Sequence, residues 1–499
     1  MQQPTGSVPA TGGFFGHPRG LATLFFTEMW ERFSYYGMRA LLILFMTAAA
    51  TGANPGLELS DATAAAIYGL YTGLVYLLAL PGGWVADNLW GQRKSIFVGG
   101  CIIAAGHFSM AIPMNEMFFA GLVLIVIGTG LLKPNVSTIV GDLYPEGGAR
   151  RDAGFSVFYM GINLGAFLGP ILCGYFGENI NWHYGFSLAG FGMVLGLIQY
   201  RLGYKHLGDA GHLETDASPD QVARKSRKFF TIAGSIFAAI ILLGVLVNSG
   251  AIPLTLQQIA GGLGSSILVI VALFFIYLIF FGGHTAQEKK RLGVIFWLFI
   301  LAAIFWSGFE QAGSSLNLFA DRETDRVIAG WEAPASWLQS INSIFIIIFA
   351  PVFGVLWIWL AQINKHPSFL TKFAWGLLGL AAGFFVLAWG AANSTGPNSV
   401  TPVILIVTYF FHTVGELSLS PVGLSSITKL APKGRVGQMM GIWFVATALG
   451  NLFAGLVAGN IGEMGFDGLF QQVALISAGA GVVALLLSKP LQKLTGGVE

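Results

Sequence analysis

Long apolar runs, separated by short polar segments, recur along the whole chain. Each run approaches or exceeds the roughly 20 residues that an α-helix needs to cross the bilayer core, which is about 30 Å thick. The pattern predicts fourteen membrane-spanning helices, and this even number places both chain ends on one side of the membrane. The helices are expected at residues 21–50, 62–86, 95–112, 116–140, 153–176, 182–203, 229–249, 256–282, 292–320, 335–362, 368–392, 400–429, 435–460 and 468–488.

The longest polar interval between spans follows the sixth helix and ends in HLETDASPDQVARKSRK. It separates the first six helices from a pair without charges inside its spans, which we interpret as a peripheral packing element, and from a final six. We therefore expect an all-α polytopic membrane protein with two six-helix bundles plus two extra helices. The expected segments are a flexible cytoplasmic tail (1–20, too polar for a cleaved signal peptide), an N-terminal bundle (21–203), a cytoplasmic linker with the extra helices (204–291), a C-terminal bundle (292–488) and a cytoplasmic tail (489–499).

The composition agrees with a bilayer as solvent. Hydrophobic residues make up 55% and charged residues only 10% of the chain, whereas a soluble domain is about 25% charged. The net charge of +2 gives no general attraction to nucleic acid. With both termini in the cytoplasm, 21 of the 26 Lys and Arg residues face inward, two face outward and three lie within spans. This bias follows the positive-inside rule and predicts a multi-pass membrane protein with both termini in the cytoplasm.

Charged side chains inside the predicted spans point to a polar interior. Each adds roughly 2.5 to 3.5 kcal/mol to the free energy of membrane insertion when it lies at the middle of a spanning helix, unless it is paired or faces water. Four acids and three bases nearly neutralise one another, as expected for groups that pair around a central cavity. They are Glu28, Glu31, Arg32, Arg39, Lys133, Glu310 and Glu416.

The first helix concentrates these groups on one side. Glu28, Arg32, Tyr35, Tyr36 and Arg39 recur at spacings close to three and four residues and share roughly one face, with Glu31 beside it. That face is too polar to meet lipid. We therefore expect it to line the interior of the N-terminal bundle.

This constellation resembles the proton-dependent oligopeptide transporter (POT/PTR2) family of the major facilitator superfamily. The first-helix signature E-x-x-E-R-F with an aromatic pair is matched by Glu28, Glu31, Arg32, Phe33, Tyr35 and Tyr36. The fifth-helix signature is matched by FYMGINLGAFLGP, and a loop typical of the superfamily by GGWVADNLWGQRK, in which Gly91 is expected to make a tight turn. The other matching positions are Asp87, Arg93, Lys94, Lys133, Asn163, Glu310, Asn342, Glu416 and Trp443.

The resemblance implies a proton-coupled symporter that imports di- and tripeptides by alternating access. Within this family, the extra helical pair and the absence of a large domain between the ninth and tenth helices point to a bacterial inner membrane. A short peptide is a zwitterion, so it needs a cationic and an anionic pole. Arg39 and Lys133 can bind its carboxylate, while Glu310 with the amide oxygens of Asn163 and Asn342 can bind its ammonium group. The further substrate-binding residues that the resemblance implies are Tyr35, Tyr36, Tyr76, Trp306, Glu416, Ser420 and Trp443.

Proton coupling can use the same charges. In the empty carrier, Lys133 and Arg39 would pair with Glu310 or Glu416, and protonation of a carboxylate would release the base for the peptide. The cluster of Glu28, Glu31 and Arg32 is either a second proton site or a fixed triad, and the sequence leaves both open. The expected gating residues are Lys133, Glu416, Asp87 and Arg93.

Other classes of function are less consistent with the sequence. It contains neither an H-E-x-x-H metal motif nor a G-x-x-x-x-G-K-[ST] loop, so we expect no enzyme, ATP-driven pump, metal site or organic cofactor, with protons as the coupling ion. Charges of mixed sign favour a carrier over a channel. A peptide receptor, or a proton-coupled transporter of nitrate or of a peptide-like compound, is the alternative. Glu310 and the two asparagines favour an amine-bearing ligand, and we expect a functional monomer.

Overall fold

The computed structural model describes residues 13–497, most of which are helical. The predicted tails at 1–20 and 489–499 lie partly outside these residues, at 1–12 and 498–499. The helices up to the sixth predicted span are α1 (Arg19–Thr47), α2 (Asp61–Leu77), α3 (Ala79–Val85), a π-helical turn (Ala86–Trp90), α4 (Gln92–Met110), α5 (Asn115–Asp142), α6 (Gly148–Asn179), α7 (Trp182–Gly203) and a 3₁₀ turn (Tyr204–His206).

The rest of the described chain contains nine helices and one short hairpin. The elements are α8 (Pro219–Asn248), α9 (Leu256–Phe281), α10 (Ala286–Phe309), a 3₁₀ turn (Glu310–Gly313), α11 (Ser315–Arg322), β1 (Val327–Ile328), β2 (Trp331–Glu332), a 3₁₀ turn (Ala335–Gln339), α12 (Ser340–Gln362), α13 (Phe369–Ala392), α14 (Val403–Leu430), α15 (Val436–Ala458) and α16 (Ile461–Leu494). The two strands pair antiparallel. In α16, Gly465 has a non-helical conformation and marks a kink.

The predicted all-α polytopic membrane fold is confirmed. Within residues 13–497, eleven helical segments are long and apolar enough to cross a membrane. Three further long helices, α1, α4 and α7, correspond to the remaining predicted spans. Helix α1 is less apolar than the others because it carries Glu28, Glu31, Arg32 and Arg39. Two spans are interrupted: α2 continues through α3 and the π-helical turn, and α10 continues through the 3₁₀ turn and α11.

Helix α8 begins at Pro219, earlier than the position near 229 that its apolar run suggests. The side chain of Ser218 accepts the N–H of Gln221, while the side chain of Gln221 accepts the N–H of Ser218. This capping box, with proline at the first helical position, is a strong helix start. The basic residues before the apolar run therefore belong to exposed helical turns rather than to an extended linker.

The described chain consists of two compact units. The first unit contains the residues up to Met38, Leu78–Cys173 and His183–Ala251. The second unit contains Arg39–Leu77, Gly174–Trp182 and the residues from Ile252 onward. Both α1 and α6 contribute to each unit, and the two units are described separately below.

In the first unit, α6 packs directly on α1 through a stripe of glycines. A Cβ atom on Gly165 would collide with the carbonyl oxygen of Met29, and one on Gly161 would lie 3.0 Å from the carbonyl oxygen of Phe25. Small residues at this spacing let helix backbones approach closely in a membrane. These glycines therefore serve helix packing, and they hold in place the helix that carries most of the buried charge.

In the second unit, α2 packs against α15 at two facing glycines. A Cβ atom on Gly69 would lie 2.9 Å from the Cα atom of Gly455, which is too close for a side chain. Close packing therefore leaves no room for a side chain at Gly69, and the two helices approach each other backbone to backbone.

Candidate functional site

A buried ion pair occupies the interior of the second unit. The guanidinium of Arg39 lies 3.0 Å from the carboxylate of Glu310, measured from Nη1 to Oε2. The two residues are 5% and 3% exposed. Arg39 is on α1, and Glu310 stands where α10 gives way to the 3₁₀ turn. Because neither charge reaches bulk water, each depends on the other for compensation.

Tyr68 and Gly313 lie directly beside this ion pair, and neither was predicted from the sequence. The hydroxyl of Tyr68, on α2, donates to the carbonyl oxygen of Glu310 at 3.4 Å. A Cβ atom on Gly313 would collide with the Tyr68 hydroxyl and lie 2.9 Å from Nε of Arg39. A glycine is therefore required where the interrupted helix meets the guanidinium. Two glycines and two serines in GFEQAGSS are the sequence signal for this interruption.

A second acidic group lies in the same unit, on α14. Asn342 of α12 donates from Nδ2 to the hydroxyl of Thr413 at 3.0 Å and to Oε2 of Glu416 at 3.4 Å. Glu416 is buried and close enough to Glu310 for the two carboxylates to interact electrostatically. The arrangement of Glu310, Glu416 and Asn342 is thus suited to attract a cationic group.

The predicted aromatic residues of the second unit are buried beside glycines. Trp306 packs on Gly450, where a Cβ atom would lie 2.5 Å from that of the tryptophan, and the ring of Trp443 covers Gly423 of α14. Ser420 is half-buried one helical turn after Glu416, and Tyr76 is half-buried near the end of α2. The structure thus brings Glu310 together with Arg39 and Glu416. The two tryptophans, Ser420 and Tyr76 lie on α10, α15, α14 and α2.

In the first unit, Glu28, Glu31 and Arg32 form a buried triad. Nε of Arg32 lies 2.9 Å from Oε1 of Glu28 and 2.6 Å from Oε2 of Glu31. Lys133, half-buried on α5, interacts electrostatically with Glu31. The guanidinium carbon of Arg32 also lies 5.4 Å from the ring centre of Tyr35. Two acids and two bases therefore balance one another here.

Tyr36 and Asn163 are the other predicted site residues of the first unit. The Tyr36 ring meets that of Tyr35 edge-on, with 5.2 Å between their centres. Asn163 is buried on α6 and donates from Nδ2 to the carbonyl oxygen of Tyr159 at 3.0 Å. Its amide oxygen remains as the acceptor that could meet a donor such as an ammonium group.

The loop before α4 is tied to the segment after α7. Nε of Arg93 donates to the carbonyl oxygen of Ala210 at 2.6 Å, and its Nη2 donates to that of Gly208. Asp87 is exposed and accepts a hydrogen bond from Gln92 at 3.1 Å. Gly91 has a φ of +74°, so the predicted tight turn is confirmed. Arg93 thus holds the backbone of the linker through two carbonyl oxygens.

Comparison with known proteins gives consistent matches over nearly the whole chain. Residues 93–472 match the sequence profile PTR2, described as the POT family. The peptide transporter YePEPT of Yersinia enterocolitica is 42% identical, over 100% of this chain and 99% of its own. The di-/tripeptide transporter of Lactococcus lactis subsp. cremoris is 35% identical over 97% and 98%. A crystal structure of a peptide transporter POT with sulfate is 40% identical, covers 98% of both chains and superposes with a TM-score of 0.90.

Proposed function

The chain belongs to the POT family, and from this premise we propose that it imports di- and tripeptides together with protons across a bacterial inner membrane. The relatives compared above are transporters, and the fold is that of the major facilitator superfamily. The observation that carries the proposal is the buried ion pair of Arg39 with Glu310, because it joins a carboxylate-binding group to a proton acceptor.

Proton binding and peptide binding favour each other in this arrangement. A proton on Glu310 removes a negative charge that compensates the buried guanidinium of Arg39, and loss of such compensation costs several kcal/mol. The carboxylate of an incoming peptide restores the compensation. Since each event raises the affinity for the other by the same factor, the two ligands are coupled thermodynamically.

The peptide's ammonium group is assigned to Glu416 and Asn342. The sequence alone placed this pole at Glu310 with Asn163 and Asn342, but Glu310 is already compensated by Arg39. Glu416 keeps its carboxylate beside the Asn342 amide, so a ligand amine has both a charge and a carbonyl acceptor there. The assignments of Lys133 and Asn163 to the same ligand, and the gating roles, stay predictions.

Glu31 is proposed as the second proton site. It shares Nε of Arg32 with Glu28, so its protonation leaves Arg32 paired with one carboxylate. Sharing of one cation makes protonation of either acid less costly than that of an acid with a cation of its own, and we choose Glu31 because it is the more completely buried of the two. If the triad has only a structural role, the pH dependence of uptake should be the same in the variant Glu31→Gln as in wild type.

The test of coupling is dialanine transport in proteoliposomes with and without an imposed proton gradient. Wild type should accumulate labelled dialanine when a gradient is imposed and should also exchange it in counterflow. The variant Glu310→Gln should lose gradient-driven accumulation, because the group that exchanges a proton is gone. Counterflow, which requires peptide binding and conformational exchange only, should persist in that variant.

The matched control is Glu463→Gln, which makes the same chemical change at an exposed acid of α16. It should behave as wild type in both assays. Accumulation by Glu310→Gln that still rises with the gradient as in wild type would refute proton coupling through this residue. Competition by di-, tri- and tetrapeptides, amino acids and nitrate identifies the substrate, and a nitrate response without a dipeptide response would replace the peptide proposal.

A further inference from the structure

A pocket of about 360 Å³ lies in the first unit, where α4 begins and α7 ends. It is built from three basic side chains, three aromatic side chains and the linker segment 211–213, and its lining contains no carboxylate. None of its residues belongs to the triad or to the ion pair described above. Its side chains are Trp90, Arg93, Lys94, Phe97, Arg201 and Tyr204.

Two of the three cations have no acidic partner. Arg93 is committed to the carbonyl oxygens of the linker. Nζ of Lys94 lies 5.3 Å from the ring centre of Trp90, and the guanidinium carbon of Arg201 lies 4.8 Å from that of Tyr204. Among residues 13–497, the ion pairs with carboxylates do not include Lys94 or Arg201. Aromatic faces hold these cations, and their charge remains available to an anion.

The position of the pocket identifies the anion. On α7, apolar side chains next to the pocket are exposed along one side: Leu195, Ile198 and Leu202 are 48%, 52% and 72% exposed. Such a strip at the end of a spanning helix meets acyl chains, and tryptophan and tyrosine mark the headgroup level of a bilayer. A phosphate attached to acyl chains fits both the cations and the apolar strip, whereas a free phosphate uses only the cations.

We propose that this pocket binds the phosphate headgroup of an anionic phospholipid, with its acyl chains along the exposed face of α7. Lys94 and Arg201 bind the phosphate by charge, as basic side chains do at a lipid surface. Because the remaining wall is the linker that Arg93 holds, bound lipid also stabilises segment 208–213 against the start of α4. This site uses neither the Arg39–Glu310 ion pair nor the triad on which the proposed transport function rests.

The test is binding of phosphatidylglycerol to the purified full-length protein in detergent, followed by native mass spectrometry. Each cation near a phosphate contributes about fivefold in affinity, so Lys94→Gln with Arg201→Gln should weaken binding by about 25-fold. Zwitterionic phosphatidylcholine should bind wild type and variant equally. Amide hydrogen exchange in 208–213 should slow when phosphatidylglycerol binds wild type, and should not change in the double variant.

Two further variants separate the site from general effects of charge and folding. Arg224→Gln with Lys225→Gln removes two exposed cations at the start of α8, outside the pocket lining, and should bind as wild type. Lys94→Arg with Arg201→Lys keeps the charge and should retain most of the affinity. An equal loss in the α8 control would overturn the proposal. So would glycerol phosphate or inorganic phosphate slowing exchange in 208–213 as strongly as the lipid does, since the site would then serve a free anion.

Discussion

The free energy of the Arg39–Glu310 ion pair can be measured with a double-mutant cycle of Glu310→Gln and Arg39→Met. At the 3.0 Å separation of the charged atoms, Coulomb's law gives about 5.5 kcal/mol at an effective dielectric constant of 20. Desolvation of the two charges offsets part of this attraction. Removal of one partner leaves the other charge buried, so each single variant should lose about 3 to 5 kcal/mol of unfolding free energy.

The double variant leaves no unpaired charge, so its loss should be smaller than the sum of the single losses by about 3 kcal/mol. The assay is unfolding in mixed micelles with a rising mole fraction of SDS, followed by tryptophan fluorescence at one fixed pH. Glu416 interacts electrostatically with Glu310, so we expect its carboxylate to compensate Arg39 in part when Glu310 is replaced. We therefore expect Glu310→Gln to be the milder of the two single variants.

The second unit offers a matched control pair with the same chemistry and a shorter distance. Arg322 lies 2.7 Å from Asp61, but the side chains are 36% and 21% exposed. Partly solvated pairs typically contribute up to about 1 kcal/mol, and the two-point contact of Arg322 with Asp61 favours the upper end of this range. The cycle of Asp61→Asn with Arg322→Gln should therefore show coupling of about 1 kcal/mol. If Arg39 and Glu310 couple no more strongly than this control, the reasoning from their burial is refuted.

Three further predictions concern packing and hydrogen bonding. Glu178→Gln should cost about 1.5 to 3 kcal/mol in the same titration, because its carboxylate accepts two backbone N–H groups, at 2.7 and 3.1 Å, in the 3₁₀ turn before α12. Gly165→Val should lower the yield of folded protein sharply, whereas Gly234→Val, with open space around it, should not. Arg93→Gln should speed hydrogen exchange at 208–210, because it removes the donors that hold these carbonyl oxygens, and unchanged protection there would contradict this role.

The helical spans could be predicted because length and apolar content are local properties. The same is true of the triad, since residues three and four apart on a helix must be neighbours, and both carboxylates do reach Arg32. The start of α8 was placed too late by hydropathy, although the capping signal of Ser218 and Gln221 was present in the sequence. Local chemistry can therefore correct an assignment that rests on apolar content alone.

The partner of Arg39 could not be chosen in this way. The sequence allowed Arg39 and Lys133 to pair with either Glu310 or Glu416. Helical periodicity fixes only the face of the helix on which each charge lies. The structure pairs Arg39 with Glu310 and brings Lys133 near Glu31, a contact that sequence spacing cannot supply because it depends on the packing of α1 and α5. The candidate residues were thus predictable from the cost of charge in lipid, while their pairing follows from tertiary packing.

The interruption of α10 at Glu310 shows why sequence and packing have to agree at such a site. Within a membrane, irregular backbone persists only where other protein groups or water satisfy it. The hydroxyl of Tyr68 donates to the carbonyl oxygen at this break, and Gly313 leaves room for both that hydroxyl and the guanidinium of Arg39. A side chain at position 313 would instead collide with the Tyr68 hydroxyl and press on the guanidinium of Arg39. The glycine signal in the sequence predicts flexibility, but only the neighbouring helices turn that flexibility into a fixed bend that presents a carboxylate to an arginine.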